Sequence, residues 1–383
     1  MARLLNGTWE ICPQFVGHIS TYVGYLYEQF SVKPLPDTIM IPNDTWRPFI
    51  KTLYKGNKQD EPTYIINKDL IPEVYGDTKS DEDQAILAFS GGKDSTANLL
   101  YMLDEGKKVT CVFTKGVNRS ATQEAEHAEY IANMYNTPII FDQIAIGGKT
   151  DYFENPVKNI FIISRLLEYG IKNGCTVVSI GETHNLVSDE MDIMYNYSDS
   201  VDFIKQFETA IQTHVPTFKV DWIFKEESTD FSYVIHNHPE VIPHLHSCLM
   251  PTRYKKMQLK YTEKYHLHAD ITRPNEEGIM QDRCMNCWKC MAEWVYLVCW
   301  NKLPYNKQYM IEKVIPTITK KIGQLDKTLE GKTDLKVSDL LEALVEINTL
   351  KQYVKDPNKI YRDSYHYHTE LNRRNINVTN NNN

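Results

Sequence analysis

The stretch AILAFSGGKDSTANLLYML, residues 85 to 103, constrains the fold more than any other. Its apolar run Ala85 to Phe89 has the length of a buried strand, and Ser95 to Leu103 carries apolar residues at helical spacing. Ser90, Gly91, Gly92, Lys93 and Asp94 stand between them, so the strand must turn almost at once into a helix. That arrangement sets a glycine turn and the positive end of a helix at the carboxyl end of a strand, where anions bind. Beyond it, apolar runs at 108–114, 137–144 and 175–181 alternate with helical stretches at 122–135 and 156–170. Such alternation predicts βαβ units and a parallel sheet with helices on both faces.

Composition narrows the partners. The 383 residues include 42% hydrophobic and 24% charged residues and carry a formal net charge of -8. This is the profile of a folded globular protein, without the positive balance that draws a chain to nucleic acid or anionic lipid. A small-molecule ligand is therefore favoured, and direct nucleic-acid binding is not expected. No window approaches the roughly 18 uncharged apolar residues of a membrane span, and the N-terminus lacks a long apolar segment. A cytoplasmic protein without membrane contact is expected, in which the eight cysteines stay reduced. Clustered cysteines then point to metal binding or catalysis before disulfides.

Four regions follow from the patterning. Residues 1–80 form an N-terminal extension of mixed α and β character, whose aromatic residues between 9 and 54 are expected to pack a core. Residues 81–245 carry the α/β domain, including a helix over 201–212. Residues 246–300 form a cysteine-bearing segment, and 301–383 a helical extension with an amphipathic helix over 337–354 and a disordered Asn-rich tail.

The glycine turn is not a Walker A loop, which needs Gly where Leu87 stands and Ser or Thr where Asp94 stands. Ser90 to Ser95, SGGKDS, instead resembles the SGGxDS loop of the N-type ATP pyrophosphatases, the PP-loop superfamily. The resemblance implies a Rossmann-type domain of the HUP, or adenine nucleotide alpha-hydrolase-like, class that splits ATP into AMP and pyrophosphate while adenylating a substrate. It places ATP on Ser90, Gly91, Gly92, Lys93, Asp94, Ser95 and Thr96, assigns catalysis to Lys93, Asp94 and Ser95, and brings Mg²⁺ to Asp94. The segment TVVSIGETHNLVSDE (176–190) is similar to the superfamily's late strand and loop, which implies nucleotide contacts at Gly181, His184 and Asn185, with Asp189 and Glu190 as further metal contacts.

RCMNCWKC supplies Cys284, Cys287 and Cys290 at intervals of three, and Cys248 in LHSCLMP is the candidate fourth thiol. Four thiolates around Zn²⁺ make a closed structural site that ties remote segments together. Cys12, Cys111, Cys175 and Cys299 stand in apolar or isolated contexts and are expected in the core. His236, His238, His244, His246, His266 and His268 crowd the region near Cys248 and are expected to be surface or hydrogen-bonded groups.

The glycine turn together with these cysteines resembles the 7-cyano-7-deazaguanine synthases, the QueC family. NYSDSVDFIKQFETAIQ (196–212) is similar to that family's substrate helix, and GVNRSATQEAEHAEYIA (116–132) takes the place of its Arg-bearing stretch, keeping Arg119. The chain departs from the family in Lys93, in the 35 residues between Cys248 and Cys284, and in both extensions. The resemblance implies that ATP activates a carboxylate of 7-deazaguanine type for attack by ammonia or another amine. It is compatible with a homodimer and with a protein partner bound through the extensions. Two other functions fit the same motifs: a PP-loop tRNA sulfurtransferase whose cysteines hold an iron–sulfur cluster or a persulfide, and a nucleotide-binding scaffold for a partner protein.

Overall fold

The computed structural model describes residues 2–5, 8–11, 19–31, 34–57, 59–71, 81, 83–115, 121–143, 157–181, 201–221, 223, 233–245, 264, 290, 291, 294, 297, 306–309, 312 and 313. The chain opens with an antiparallel pair, β1 (Ala2–Leu5) and β2 (Thr8–Ile11). Helix α1 (Ile19–Gln29) follows, and then a small βαβ unit: β3 (Thr38–Ile41), α2 (Arg47–Gly56) and β4 (Thr63–Ile66), with the two strands parallel. The main alternation runs β5 (Gln84–Ala88), α3 (Lys93–Asp104), β6 (Lys108–Lys115), α4 (Ala121–Met134), β7 (Ile139–Gln143), α5 (Lys158–Lys172), β8 (Val177–Ile180), α6 (Val201–Gln212) and β9 (Lys219–Asp221). Contacts divide the chain into one unit of residues 1–90, 101–121 and 132–225, and another of 91–100, 122–131 and 226–383.

β5 to β9, all in the first unit, form the expected parallel sheet, in the order β7-β6-β5-β8-β9. β9 is a three-residue edge strand that periodicity did not reveal, since three residues carry too little pattern. The chain builds outward from β5 through β6 to β7, and then crosses back to lay β8 on the other side of β5. The strand order thus reverses between β5 and β8, and in open α/β sheets ligands bind beyond the carboxyl ends of two such strands.

Three returns from a helix to the next strand, those after α3, α4 and α5, are closed by the same device. Lys107 N–H donates to Met102 O after α3, Thr137 N–H to Ala132 O after α4, and Cys175 N–H to Gly170 O after α5. The residues Gly106, Asn136 and Gly174 take left-handed φ values of 77°, 51° and 73°. These are Schellman ends, which satisfy the last carbonyls of a helix while reversing the chain. Three helices therefore stop within three or four residues of the next strand.

The core of this unit lies against α5. Ile160, Ile163, Leu166 and Leu167 of α5 are fully buried in one cluster with Ile86, Val112 and Val178 of the sheet. Tyr22, Val23 and Leu26 of α1 belong to the same cluster, so α5 is covered on both sides. Gly170 sits where a Cβ would lie 2.2 Å from Cys175 O, which allows the last turn of α5 to pass close to β8. The early aromatics are core residues: Trp46 meets Phe49, Phe207 and Tyr22 at ring-centroid distances of 5.9, 6.0 and 4.8 Å. They join α2 and its preceding turn to α6.

Polar contacts fix the angle of α5. Arg165 donates Nε to Asp142 Oδ2 at 2.9 Å and Nη2 to Oδ1 at 2.6 Å, and Tyr169 Oη donates to Oδ1 at 2.9 Å. Asp142 is buried on β7, so its charge depends on this fork–fork pairing. One turn away, Glu168 Oε1 accepts from Ser20 N–H and Ser20 Oγ at 2.8 and 2.7 Å, placing a carboxylate at the start of α1. Among the described residues no helix is long and apolar enough to cross a membrane. Asp142→Ala would strand the guanidinium of Arg165; a loss on the order of 3 kcal/mol is expected, read as a lower denaturation midpoint at unchanged slope.

Candidate functional site

β5 delivers Ser90 to the carboxyl rim of the sheet, since the register of β5 on β8 pairs Ala88 with Ile180. Ser90 and Gly181 therefore follow neighbouring strand ends, and the structure brings these two sequence-predicted residues to the same rim. Phe89 N–H donates to Val112 O at 2.9 Å, which keeps the chain in the sheet until the residue before Ser90.

The turn proper bends at Gly91, with φ at 72°. A Cβ there would lie 2.8 Å from the backbone N and 3.0 Å from the Cα of Ala128 on α4. The obstacle is backbone and does not move aside, so glycine is required for both conformation and space. α3 starts two residues later, and the positive end of its dipole faces the turn. Thr96 N–H donates to Gly92 O at 3.0 Å, and Ser95 Oγ donates to the same carbonyl at 3.4 Å. Thr96 is fully buried, yet among the described residues its Oγ1 has no hydrogen-bond partner. A buried hydroxyl left unsatisfied is costly, and here it stands in the first turn of a helix suited to anions.

Lys93 folds back so that Nζ meets Asp94 Oδ1 at 2.7 Å, with the lysine side chain 8% and the aspartate side chain 28% exposed. Asp94 is the acidic residue of the first turn, where the helix dipole favours it. The turn therefore fits a phosphate chain, through its glycine cradle and unsatisfied hydroxyl, and Asp94 offers the hard oxygen donor that Mg²⁺ takes.

Two buried polar residues behind the turn escaped sequence reasoning. Asn98 donates Nδ2 to Asp94 O at 3.0 Å, and its buried Oδ1 has no partner among the described residues. Its signal was a lone amide inside the otherwise apolar ANLLYML. His127 on α4 lies 2.9 Å through Nδ1 from His244 O, so Nδ1 carries the proton and donates. Its signal was a histidine set among the buried Ala125, Ala128 and Ile131. His244 also stacks near Tyr130, at 4.5 Å between centroids.

The cysteines divide. Burial pushes the Cys111 thiol far up, and the Cys175 thiol up as well, so both are inert core residues as the sequence led us to expect. Cys290 is buried. Cys248, Cys284 and Cys287 lie outside the described residues, as do Cys12, Cys299, Arg119, His184, Asn185, Asp189, Glu190 and the helix expected over 337–354. Among the described residues no group of three or more His, Cys, Asp or Glu side chains is arranged to hold a metal. Gly91→Ala is expected to cost on the order of 2 kcal/mol from the left-handed backbone alone, seen as a lower thermal midpoint.

Comparison with known proteins agrees with this geometry in one stretch. Residues 84–148 match the family model described as queuosine biosynthesis protein QueC. No curated protein matches the chain. Among solved structures, the U34-tRNA thiolase NcsA from Methanococcus maripaludis with its 4Fe-4S cluster is similar at 19% identity, over 31% of this chain and 44% of that one, with a TM-score of 0.23. The chain thus spans less than half of the solved structure it matches. The QueC match starts on β5 and takes in the whole SGGKDS turn, so over residues 84–148 the chain resembles the QueC family.

Proposed function

We propose that the protein uses ATP to activate a small carboxylate, releasing pyrophosphate. The observation that carries this reading is Gly91, a left-handed glycine with no room for a side chain, following the central strand where the strand order reverses. The QueC match over 84–148 supports it, since the match contains the turn.

In this reading a carboxylate oxygen of the substrate attacks the α-phosphorus of ATP. A new P–O bond forms, the bond from the α-phosphorus to the bridging oxygen breaks, and pyrophosphate leaves with the bonding electrons. Negative charge grows on the leaving group, and fixed donors aimed at it lower the barrier. This chain offers the start of α3, the ammonium of Lys93, and the hydroxyls of Ser90, Ser95 and Thr96. Mg²⁺, when held by Asp94, supplies neutralisation of the polyphosphate. Gly181, His184 and Asn185 are proposed along the nucleotide.

The QueC-like character favours a carboxylate of 7-deazaguanine type. Ammonia or another amine then attacks the acyl carbon and AMP departs; with ammonia, a second ATP drives the loss of water that turns the amide into a nitrile. Cys248, Cys284, Cys287 and Cys290 are proposed to hold a structural Zn²⁺, a role supported by the spacing of three and by the burial of Cys290. The same spacing supports a second reading, sulfur transfer, because three thiolates hold an iron–sulfur cluster with one iron open.

Purified chain given ATP, ammonium and 7-carboxy-7-deazaguanine is expected to form AMP and pyrophosphate in equal amounts, and Lys93→Ala to slow this on the order of 100-fold. ADP as product would sink the adenylation reading, and a Lys93→Ala chain with full biological activity would favour the scaffold. Elemental analysis after anaerobic purification should find about one zinc per chain, lost in Cys290→Ser; iron in its place would move the assignment to sulfur transfer.

A further inference from the structure

β4 pairs only with β3, and among the described residues no strand adds to its other edge. Thr63 N–H donates to Asp37 O at 2.8 Å and Asn67 N–H to Ile41 O at 2.9 Å, so residues 63, 65 and 67 turn their backbone groups toward β3. Backbone direction alternates along a strand, and Tyr64 and Ile66 therefore turn N–H and C=O away from the sheet. This open window is short. Pro62, the preceding outward position, has no N–H to offer, and Lys68, the following one, already belongs to the 3₁₀ turn Lys68–Leu70.

The side chains of this strand are apolar where solvent meets them. Ile65 is 50% and Ile66 44% exposed, and the two point to opposite faces. Through the register of β3 on β4, Ile65 shares the outer face with the exposed Thr38 and Thr63. Ile66 shares the inner face with the buried Ile39 and Ile41 and with Tyr64, whose ring receives the guanidinium of Arg47 at 5.0 Å. One open edge thus carries an uncovered isoleucine on each face. Such an edge is a template for another strand, and two strands alone make a marginal sheet.

We infer that β4 pairs antiparallel with β4 of a second copy of the chain about a two-fold axis, setting Tyr64 opposite Ile66 of the partner subunit and Ile65 opposite Ile65 of the partner subunit. In this register every outward N–H and C=O of Tyr64 and Ile66 is bonded. Tyr64 packs beside an isoleucine, a favourable cross-strand pair, and the two Ile65 side chains cover each other on the axis. The neighbouring registers are poorer, since Tyr64 opposite itself leaves Ile66 facing a proline, and Ile66 opposite itself leaves Tyr64 facing Lys68 in its turn. Charge permits the approach. The chain as a whole carries -8 and repels its copy, but beside β4 Glu61 is paired with Lys51 at 2.8 Å and Asp44 with Arg47 at 2.7 Å. So short a strand buries less than the roughly 1,200 Å² of a standard interface, and the dimer is expected to be reversible. The inference does not depend on the ATP reading.

The test is sedimentation velocity of the full chain from about 1 to 100 μM, the range of weak association, in which monomer should pass into dimer. Ile65→Lys sets two ammonium groups on the axis and should weaken the dimer at least about 10-fold. Mixing it with Ile65→Glu should restore the dimer, because unlike charges then meet. Ile65 is half exposed, so these changes are expected to leave the fold intact. Ile65→Cys reads the register: residues opposite each other in a non-hydrogen-bonded pair have Cα atoms about 4.5 Å apart, within disulfide reach. Mild oxidation should therefore join position 65 to itself between copies, seen in peptide masses, while Ile66→Cys stays unjoined. A chain that remains monomeric throughout would overturn the inference and leave this edge to an extended segment of another protein. A dimer unmoved by Ile65→Lys, a charge-swapped mixture that stays monomeric, or crosslinking at 66 instead of 65 would each overturn it as well.

Discussion

The double burial of α5 is the constraint on which the first unit depends. One helix face must cover the hydrophobic side of a parallel sheet, while the other receives α1. A helix covered on both sides has few places left for charge, and Arg165, Glu168 and Tyr169 fall on one narrow stripe. Arg165 and Tyr169 on that stripe hold the buried carboxylate of Asp142, and Glu168 holds the start of α1. Apolar packing supplies most of the driving force. The charged contacts add direction, because a fork–fork pair tolerates little rotation. They also tie β7, the outermost strand on its side, to a helix that the centre of the sheet already anchors.

Much of this was legible in the sequence, and the reason lies in period and punctuation. The runs at 108–114, 137–144 and 175–181 became β6, β7 and β8, each within two residues of the expected ends, and 201–212 became α6. Those segments are long enough for periodicity to speak, and Gly, Asn and Pro bound them. β3 and β4 were less legible: β3 alternates exposed and buried residues over only four positions, and three of the four residues of β4 are exposed. Nothing local announces that two such strands pair across a helix. The packing of the early aromatics was expected, but their partners on α6 were not, since a contact such as that between Phe49 and Phe203 joins residues far apart in the sequence.

The candidate site shows the same division. The glycine turn was visible because its chemistry is local: backbone freedom, hydroxyls and charges arrive within one short stretch. What stands behind the turn is not local. The closeness of Gly91 to Ala128 is a property of how α4 passes the turn, and the bond from His127 to His244 joins residues 117 positions apart. Asn98 is the instructive case, because its partner Asp94 is only one helical turn away. It passed unnoticed since an amide in a helix is read as a weak helix former, and its burial becomes apparent only in three dimensions.

The Schellman ends after α3, α4 and α5 divide the two rims of the sheet into different materials. At the amino rim, 105–107, 135–138 and 173–176 return the chain by the shortest routes that bonds from residue to residue allow. An insertion there would unwind a helix end and shift a strand. At the carboxyl rim the connections 116–120, 144–157 and 181–200 are longer in sequence than these returns. The protein is in this sense a frame with an exchangeable edge: one border is closed to revision, and the other is where a lineage can trade one substrate for another without rebuilding the sheet.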